Sequence, residues 1–454
     1  MSMNTKVGYL LISTIVLLVP FLGCQPASLN PSIPAAINGS GLPTQNILLT
    51  NGTQPTGYTM ANKQRQTSPQ VDNADLKTLA SDNNSFAIDL FHALADYNNQ
   101  NLIYAPFSIS EALAMTYAGA EGKTAQQMAQ VLHYSLPGDR LHMAFNATDL
   151  SLQSSTSNQG QDQFQLNIAN SLWGQKGFSF LADYLDLLTQ NYGTGVKLTD
   201  FKNSPEPSRQ EINQWISQQT KNKINDLLAK GTITTNTRLA LVNAIYFNGR
   251  WNDPFDHNLT HKADFTGLDG SKTTVSMMAA TGVSNLKYIH GTNFQAVELP
   301  YKENQAVMTV IVPDAGYFND IKKIISSAWI SDCWQQMRLT IVQLSMPKYK
   351  FETTLGLSDQ LSKMGMADAM NQEAADFSNM DGKKDLFIGA VIHKAMIAVD
   401  EDGTEAAAAS AIVMQTLGMA GGNVQLTVDR PFIIVIHDVH HNSILFMGQV
   451  LDPQ

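Results

Sequence analysis

The order of the patterns along the chain most limits what it can fold into. Past residue 238 the apolar residues come in strand-like runs, at 238–248, 306–312, 339–347, 386–399, 424–438 and 443–451. Before that point they fall at helical spacing. Phe86, Leu90, Phe91 and Leu94 share one face within 85–97. Ile212, Trp215, Ile216, Ile224 and Leu227 do the same within a long helix predicted over 209–229. A buried helix is expected over 109–119 and an amphipathic one over 124–133. Helices first and strands afterwards predict an α+β fold rather than a repeating βαβ barrel. No internal repeat and no linker follows residue 80, so one large domain is expected, although 454 residues would as a soft prior make about three.

Composition excludes several functions. With 43% hydrophobic residues a large core is available, and only 15% are charged, with a net charge of −10. An acidic chain with no basic block does not meet the phosphates of a nucleic acid. The two cysteines, Cys24 and Cys333, make neither a disulfide framework nor a four-thiolate zinc site.

The N-terminus reads as an address. An apolar run over 7–23 follows Lys6, shorter than the ~20 residues of a comfortable membrane span. It ends in Phe21-Leu22-Gly23-Cys24, which resembles a bacterial lipobox, although Phe21 departs from the usual Leu. Residues 1–23 are therefore expected to be a lipoprotein-type signal and Cys24 the lipidated residue. An uncleaved anchor with an incidental Cys is the alternative. Either way the body is exported and held at a membrane, facing the periplasm or the extracellular space. Residues 24–78 hold Pro26, Pro31, Pro34, Pro43, Pro55 and Pro69 among Ser, Asn, Gly, Thr and Gln, and read as a flexible tether. The folded domain is expected over 79–454.

Catalytic motifs do not converge. No Gly-x-Ser-x-Gly elbow exists, and no phosphate-cradling glycine loop. Ser345-Met-Pro-Lys348 and Ser81-Asp-Asn83 imitate two β-lactamase boxes in the wrong order, without the third. His257 and His261 have metal-like spacing but lack the HExxH glutamate. His437, His440 and His441 fall at an expected hairpin, where a solvated turn explains them. No enzyme, metal site or cofactor is expected.

The most unusual stretch is Val399-Asp-Glu-Asp-Gly-Thr-Glu-Ala-Ala-Ala-Ala-Ser410, followed by Ala411-Ile-Val-Met-Gln-Thr-Leu-Gly-Met419. Read locally, the alanines predict a short helix. The stretch also resembles the reactive-centre hinge of the serpin family, and other segments resemble that family in the same order. Asn101-Leu-Ile-Tyr-Ala-Pro-Phe-Ser-Ile109 is similar to its early Asn…Ser-Pro-x-Ser-Ile box. ALAMTYAGAEGKTAQQMAQVLHY, from Ala112, is similar to the helices that follow. Leu241-Val-Asn-Ala-Ile-Tyr-Phe-Asn-Gly-Arg-Trp251 with Pro254-Phe255 resembles its strand-and-Trp signature. Arg430-Pro-Phe432 and the segment from Asn442 to Pro453 resemble its C-terminal strands.

This resemblance implies a serpin fold, with helices on a large mixed central sheet, smaller sheets, and an exposed reactive loop over about 401–430. It implies a suicide substrate that traps serine proteases as acyl-enzymes by inserting the loop into the sheet. The hinge residues would be Glu401, Gly403, Thr404, Glu405, Ala406, Ala407, Ala408, Ala409 and Ser410. Strand alternation divides them into two faces, with Thr404, Ala406, Ala408 and Ser410 on one and Glu405, Ala407, Ala409 and Ala411 on the other. All are small except Glu405, and none is Pro, which favours inhibition over a non-inhibitory serpin-fold binding protein. Counting from Gly403 places the scissile bond at Leu417-Gly418, with Met414, Thr416 or Met419 as alternatives because 417–431 is longer than the family pattern. No Lys or Arg lies between Lys394 and Arg430, so chymotrypsin-, subtilisin- or elastase-like targets are expected. Cysteine proteases, trapped as thioesters, are a side possibility. Matching to the family's shutter gives Ser108, Asn243 and His393, with Ala105 where a Ser is usual, and places Trp251 at the upper opening of the sheet. The partners expected are thus a target protease and a membrane, with no nucleic acid, for a monomer.

Overall fold

The computed structural model describes residues 57–95, 99–154, 165–280, 284–404 and 424–454. Cys24, Glu405, Ala406, Ala407, Ala408, Ala409, Ser410, Met414, Thr416, Leu417, Gly418 and Met419 lie outside the described residues. Residues Gly52–Gln454 form one compact unit.

Two sheets carry the fold. The central one has seven strands in the order Gly57–Thr59, Val196–Thr199, Gln165–Gln175, Leu239–Arg250, Gly403–Thr404, Ile388–Val399 and Tyr349–Gly356. It is mixed. Leu239–Arg250 runs antiparallel to Gln165–Gln175 and parallel to Ile388–Val399, which in turn runs antiparallel to Tyr349–Gly356. The smaller sheets expected from the sequence join into one second sheet of ten strands. Its path runs from Leu102–Tyr104 through Ile444–Val450, Phe432–Asp438 and Ala306–Pro313 to His261–Thr266. The run at 424–438 is not one strand. Val424–Thr427 pairs in parallel with Val342–Ser345, and after Asp429-Arg430-Pro431 the chain re-enters as Phe432–Asp438 against Ala306–Pro313.

Alternation on the central strands sorts two cores. Leu239, Leu241, Ile245 and Phe247 point into the large core with the helices Asn73–Ala95 and Pro106–Tyr117, whereas Ala240, Val242 and Ala244 face Ile212 and Ile216 of the helix Pro205–Gln219. That helix is shorter than the predicted 209–229. It ends at Gln219 because Lys221 and Asn222 take positive φ, while Ile224 and Leu227 stay buried as a loop. The predicted stripe over 85–97 is the second half of Asn73–Ala95.

The tether boundary at 78 needs correction. Gly57–Thr59 is the outer strand of the central sheet, paired antiparallel with Val196–Thr199, and the first helix begins at Asn73. Sparse apolar periodicity misled here, because this segment is held by polar contacts. Lys63 pairs with Asp186 at 2.5 Å, Arg65 with Asp149 at 2.6 Å, and Gln66 N–H donates to Gln190 O.

Candidate functional site

The structure places the expected residues at two levels of one seam, the junction between the parallel strands Leu239–Arg250 and Ile388–Val399. In its lower part the two pair directly, from Ile388 with Leu239 to Met396 with Tyr246. Above Met396 they part, and Gly403–Thr404 lies between them, antiparallel to both, Gly403 opposite Arg250 and Thr404 opposite Gly249 and Val399.

At the middle of the seam, Asn170, Asn243 and His393 stand in register on three neighbouring strands. His393 Nε2 accepts from the backbone N–H of Ala105 at 3.1 Å, so the proton sits on Nδ1, which donates to Asn243 Oδ1. Burial drives the His393 pKa down to about 3, so the ring is neutral. The Asn243 amide donates to Ser108 Oγ and to Asn170 Oδ1. Ser108 Oγ donates to Asn170 Oδ1 at 3.2 Å, and Asn170 Nδ2 donates to Glu111 Oε2 at 2.7 Å. Ser108, Asn243 and His393 are thus brought together. The contact of Ala105 to His393 is made by its main-chain N–H and needs no side chain, whereas as the N-cap of Pro106–Tyr117 Ala105 offers no side-chain acceptor.

Sequence reasoning missed Asn170 and Glu111. Asn170 sits in an otherwise unremarked strand and Glu111 in a helix that reads as buried. Only the strand register, which the sequence does not print, joins them to Asn243. Burial, with the charge of Asp149 adding to it, holds Glu111 well above the usual carboxylate range.

At the mouth of the seam, the residues after Val399 form a tight turn. Asp400 Oδ1 accepts from the N–H groups of Asp402 and Gly403, and Asp400 N–H donates to Gly403 O. Trp251 holds this turn from both its chains of atoms: its indole Nε1 donates to Asp400 O at 3.0 Å and its N–H to Asp402 O at 2.9 Å. Its ring stacks on Tyr301 with centroids 4.6 Å apart. Glu401 is buried, and Lys348 Nζ reaches it at 2.6 Å while Thr260 Oγ1 donates at 2.6 Å. Burial opposes ionisation here, but Lys348 and Thr260 prevail and keep its pKa below the usual value. Glu401 is therefore an anchor of the turn. The inserted part begins at Gly403, where a Cβ would overlap the Gly249 carbonyl oxygen, so only glycine allows that approach. Thr404 is buried, its hydroxyl 2.7 Å from that of Tyr301. The loop expected over 401–430 is accordingly fixed at both ends, at 401–404 in the central sheet and at 424–427 in the second.

Of the other polar motifs, the solvated turn expected at the histidine cluster holds for His440 and His441 only, because His437 is a buried residue of the strand Phe432–Asp438 whose Nδ1 has no hydrogen-bond partner. His257 lies 3.2 Å from Asp402 and 3.7 Å from Glu401, whereas His261 bonds to Leu259 O. His437 is buried against Trp334, while Asp438 accepts from the N–H groups of His440, His441 and Ser443. Among the described residues no group of three His, Cys, Asp or Glu side chains is placed to hold a metal.

A mixed central sheet whose seam seats the head of the segment leaving its own strand characterises this α+β protein. A family model described as Serpin (serine protease inhibitor) matches residues 81–453, and the chain belongs to that family. It is 36% identical over 386 residues to the leukocyte elastase inhibitor of Xenopus laevis, covering 83% of this chain and all of that one. It is 35% identical over 398 residues to human serpin B4, with the same coverage. Among solved structures, that of tengpin, a thermophilic serpin in the native state, superposes with a TM-score of 0.75 at 28% identity over 87% of this chain and 97% of that one.

Proposed function

We propose that the chain is an inhibitory serpin, a suicide substrate of serine proteases with apolar primary specificity. The observation that carries the reading is Gly403–Thr404 seated antiparallel to both strands of the seam. Each further residue that enters replaces part of one parallel ladder by two antiparallel ones, and antiparallel pairing is the more stable per residue. Continuing the alternation from Thr404 sends Ala406, Ala408 and Ser410 towards the large core and Glu405, Ala407, Ala409 and Ala411 towards the helix Pro205–Gln219, and all but Glu405 are too small to disturb either.

The protease serine attacks the carbonyl carbon of Leu417, the amine of Gly418 leaves, and an ester joins Leu417 to the enzyme. The freed strand then inserts, carrying the protease with it before water cleaves the ester. The name of one relative, a leukocyte elastase inhibitor, supports an elastase-like target, and the absence of Lys and Arg between Lys394 and Arg430 supports an apolar one. A cysteine protease would be held as a thioester by the same route. Phe21-Leu22-Gly23-Cys24 supports export and a lipid on Cys24, with residues 25–56 as the tether.

The test is to mix the protein with chymotrypsin- and subtilisin-type proteases. An SDS-stable covalent band is expected, and mass spectrometry of the released C-terminal fragment should start it at Gly418. Clean cleavage with full protease activity surviving would leave the non-inhibitory binding protein as the better reading. Labelling with a palmitate analogue, lost in Cys24→Ala, tests the anchor.

A further inference from the structure

The central sheet has two ends of opposite charge. Its lower end, the foot, lies where Leu239–Arg250 and Ile388–Val399 begin, with Leu239 opposite Ile388 and Gly174. Hydrogen bonds join four loops there into one floor. Gln175 N–H donates to Arg238 O at 2.9 Å, Lys176 N–H to Thr199 O at 2.9 Å, and Leu181 N–H to Met380 O at 2.7 Å. Lys202 N–H donates to Gln175 Oε1 at 2.8 Å. The sequence holds no basic block, yet this floor gathers Lys176, Lys202, Lys230, Arg238, Lys383 and Lys384 from the segments 176–181, 199–204, 229–238 and 381–387. Only Asp200, Asp381 and Asp385 oppose them in those segments. All five lysines are exposed. Lys384 pairs with Asp376 at 2.6 Å, but among the described residues no carboxylate makes an ion pair with Lys176, Lys202, Lys230 or Lys383. Leu181 is 41% exposed on the same floor, where a Cβ on Gly382 would stand 3.9 Å from its Cδ2.

The mouth is the reverse. Its segments 250–257, 300–305, 347–349 and 400–403 set Asp253, Asp256, Glu303, Asp400, Glu401 and Asp402 against Arg250, Lys302 and Lys348. Foot and mouth lie roughly 40 Å apart along Leu239–Arg250, whereas charges in water are screened beyond ~8 Å at physiological salt. A surface brought to the foot therefore meets local positive charge and not the net −10 of the chain.

The chain also enters the body at the foot. Gly57 stands opposite Leu198, beside Thr199. Tyr58 fixes the entry, its ring 4.4 Å from Lys197 Nζ and its hydroxyl accepting from Gly195 N–H at 3.0 Å. With a lipid on Cys24, a tether the length of 25–56 reaches roughly 30 Å as a random coil, which brings the foot to the lipid before the mouth.

We propose that the foot is a docking surface for an anionic lipid membrane, so that the body stands on its anchor with the mouth turned away. The surface potential of an anionic leaflet holds the lysines, Leu181 enters the headgroup layer, and the acids of the mouth are repelled. The inference rests on the reading that the body is held at a membrane through Cys24, and its test separates the two.

The test is amine acylation of the full chain, read by mass spectrometry, on vesicles of phosphatidylcholine and phosphatidylglycerol in equal parts. Lys176, Lys202 and Lys383 should react about threefold or more slowly than in solution, while Lys302 at the mouth keeps its rate. The protection should vanish in about 1 M salt, where screening falls to ~3 Å, and on phosphatidylcholine alone. Lys176→Gln with Lys202→Gln and Lys230→Gln, all at exposed positions, should return Lys383 to its solution rate. The same spectra read the lipid on Cys24. Lipid present with foot lysines at the solution rate overturns the foot and spares the anchor, and protection without lipid does the reverse. Protection of Lys302 in place of the foot, or equal protection on phosphatidylcholine alone, would also overturn the proposal.

Discussion

The seam of the central sheet is held in two places by opposite chemistry. Its middle is neutral and buried: His393, Asn243, Ser108 and Asn170 exchange hydrogen bonds with no ion among them, beneath strands paired in parallel. Its mouth is charged and wetter, with Glu401 held by a Lys348 that is 37% exposed, and His257 half exposed beside Asp402. The difference teaches where opening can start. A charged, partly hydrated contact re-forms easily and can hold the turn of 400–402 while the chain beyond it moves. A buried neutral network has no water to replace a broken bond, so it sets the barrier in the path of an entering strand.

The largest expected effect lies just inside the mouth. Thr404→Arg would force a guanidinium between Tyr301 and Val399, and the inhibition rate should fall by about a hundredfold or more as the chain turns from inhibitor to substrate. Inhibition at the parental rate would break the contrast. At the middle, Asn243→Leu strands the Nδ1–H of His393 and should cost about 1–3 kcal/mol in urea unfolding, with faster spontaneous loss of the uninserted state.

Acid should separate the two places. His393 has a folded pKa of about 3 against about 6.5 when unfolded, so the unfolded chain binds more protons between those values and stability falls as pH drops below about 6.5. His142 and His437, both held down to about 4 by burial, add to that slope. Glu401 has a lowered pKa, so its contribution is present above the unfolded carboxylate value and is lost only as pH falls through the folded one. The histidine bonds of the middle should therefore weaken first, against the opposite slope of Glu111, whose raised pKa favours the folded state as pH falls. Lowering the pH from 7.5 to 5 should thus cost the wild type more in melting temperature than it costs His393→Gln. A slope untouched by His393→Gln would contradict the assignment of a neutral ring. The smallest effect is expected at Ala105→Ser, which supplies the missing N-cap acceptor and should stabilise by up to about 1 kcal/mol. No change in thermal unfolding would show that the main-chain bond to His393 already suffices.

The order of helices and strands made the α+β class legible, and the proline-free residues from Thr404 to Ala411, small except for Glu405, marked a segment able to enter a sheet. The residues of the seam were legible only where a motif named them, as with Ser108, Asn243, Trp251 and His393. Asn170 and Glu111 belong to the same network through strand register and helix packing, which join residues far apart in the chain. The segment 57–72 was misread for a related reason. Its apolar pattern is weak, and what orders it is an edge strand with Arg65, Lys63 and Tyr58 on partners more than a hundred residues away for the lysine and tyrosine. The break in 424–438 follows from Pro431, which cannot donate to a ladder, and from two parts that pair with different strands.

The central claim is that the segment beginning at Thr404 can become an interior strand, and thermal unfolding before and after a single cut within 405–423 tests it most directly. The account predicts that the cut chain melts at least about 10 °C higher, because one parallel ladder has been exchanged for two antiparallel ones. A cut chain that melts where the intact one does would contradict it.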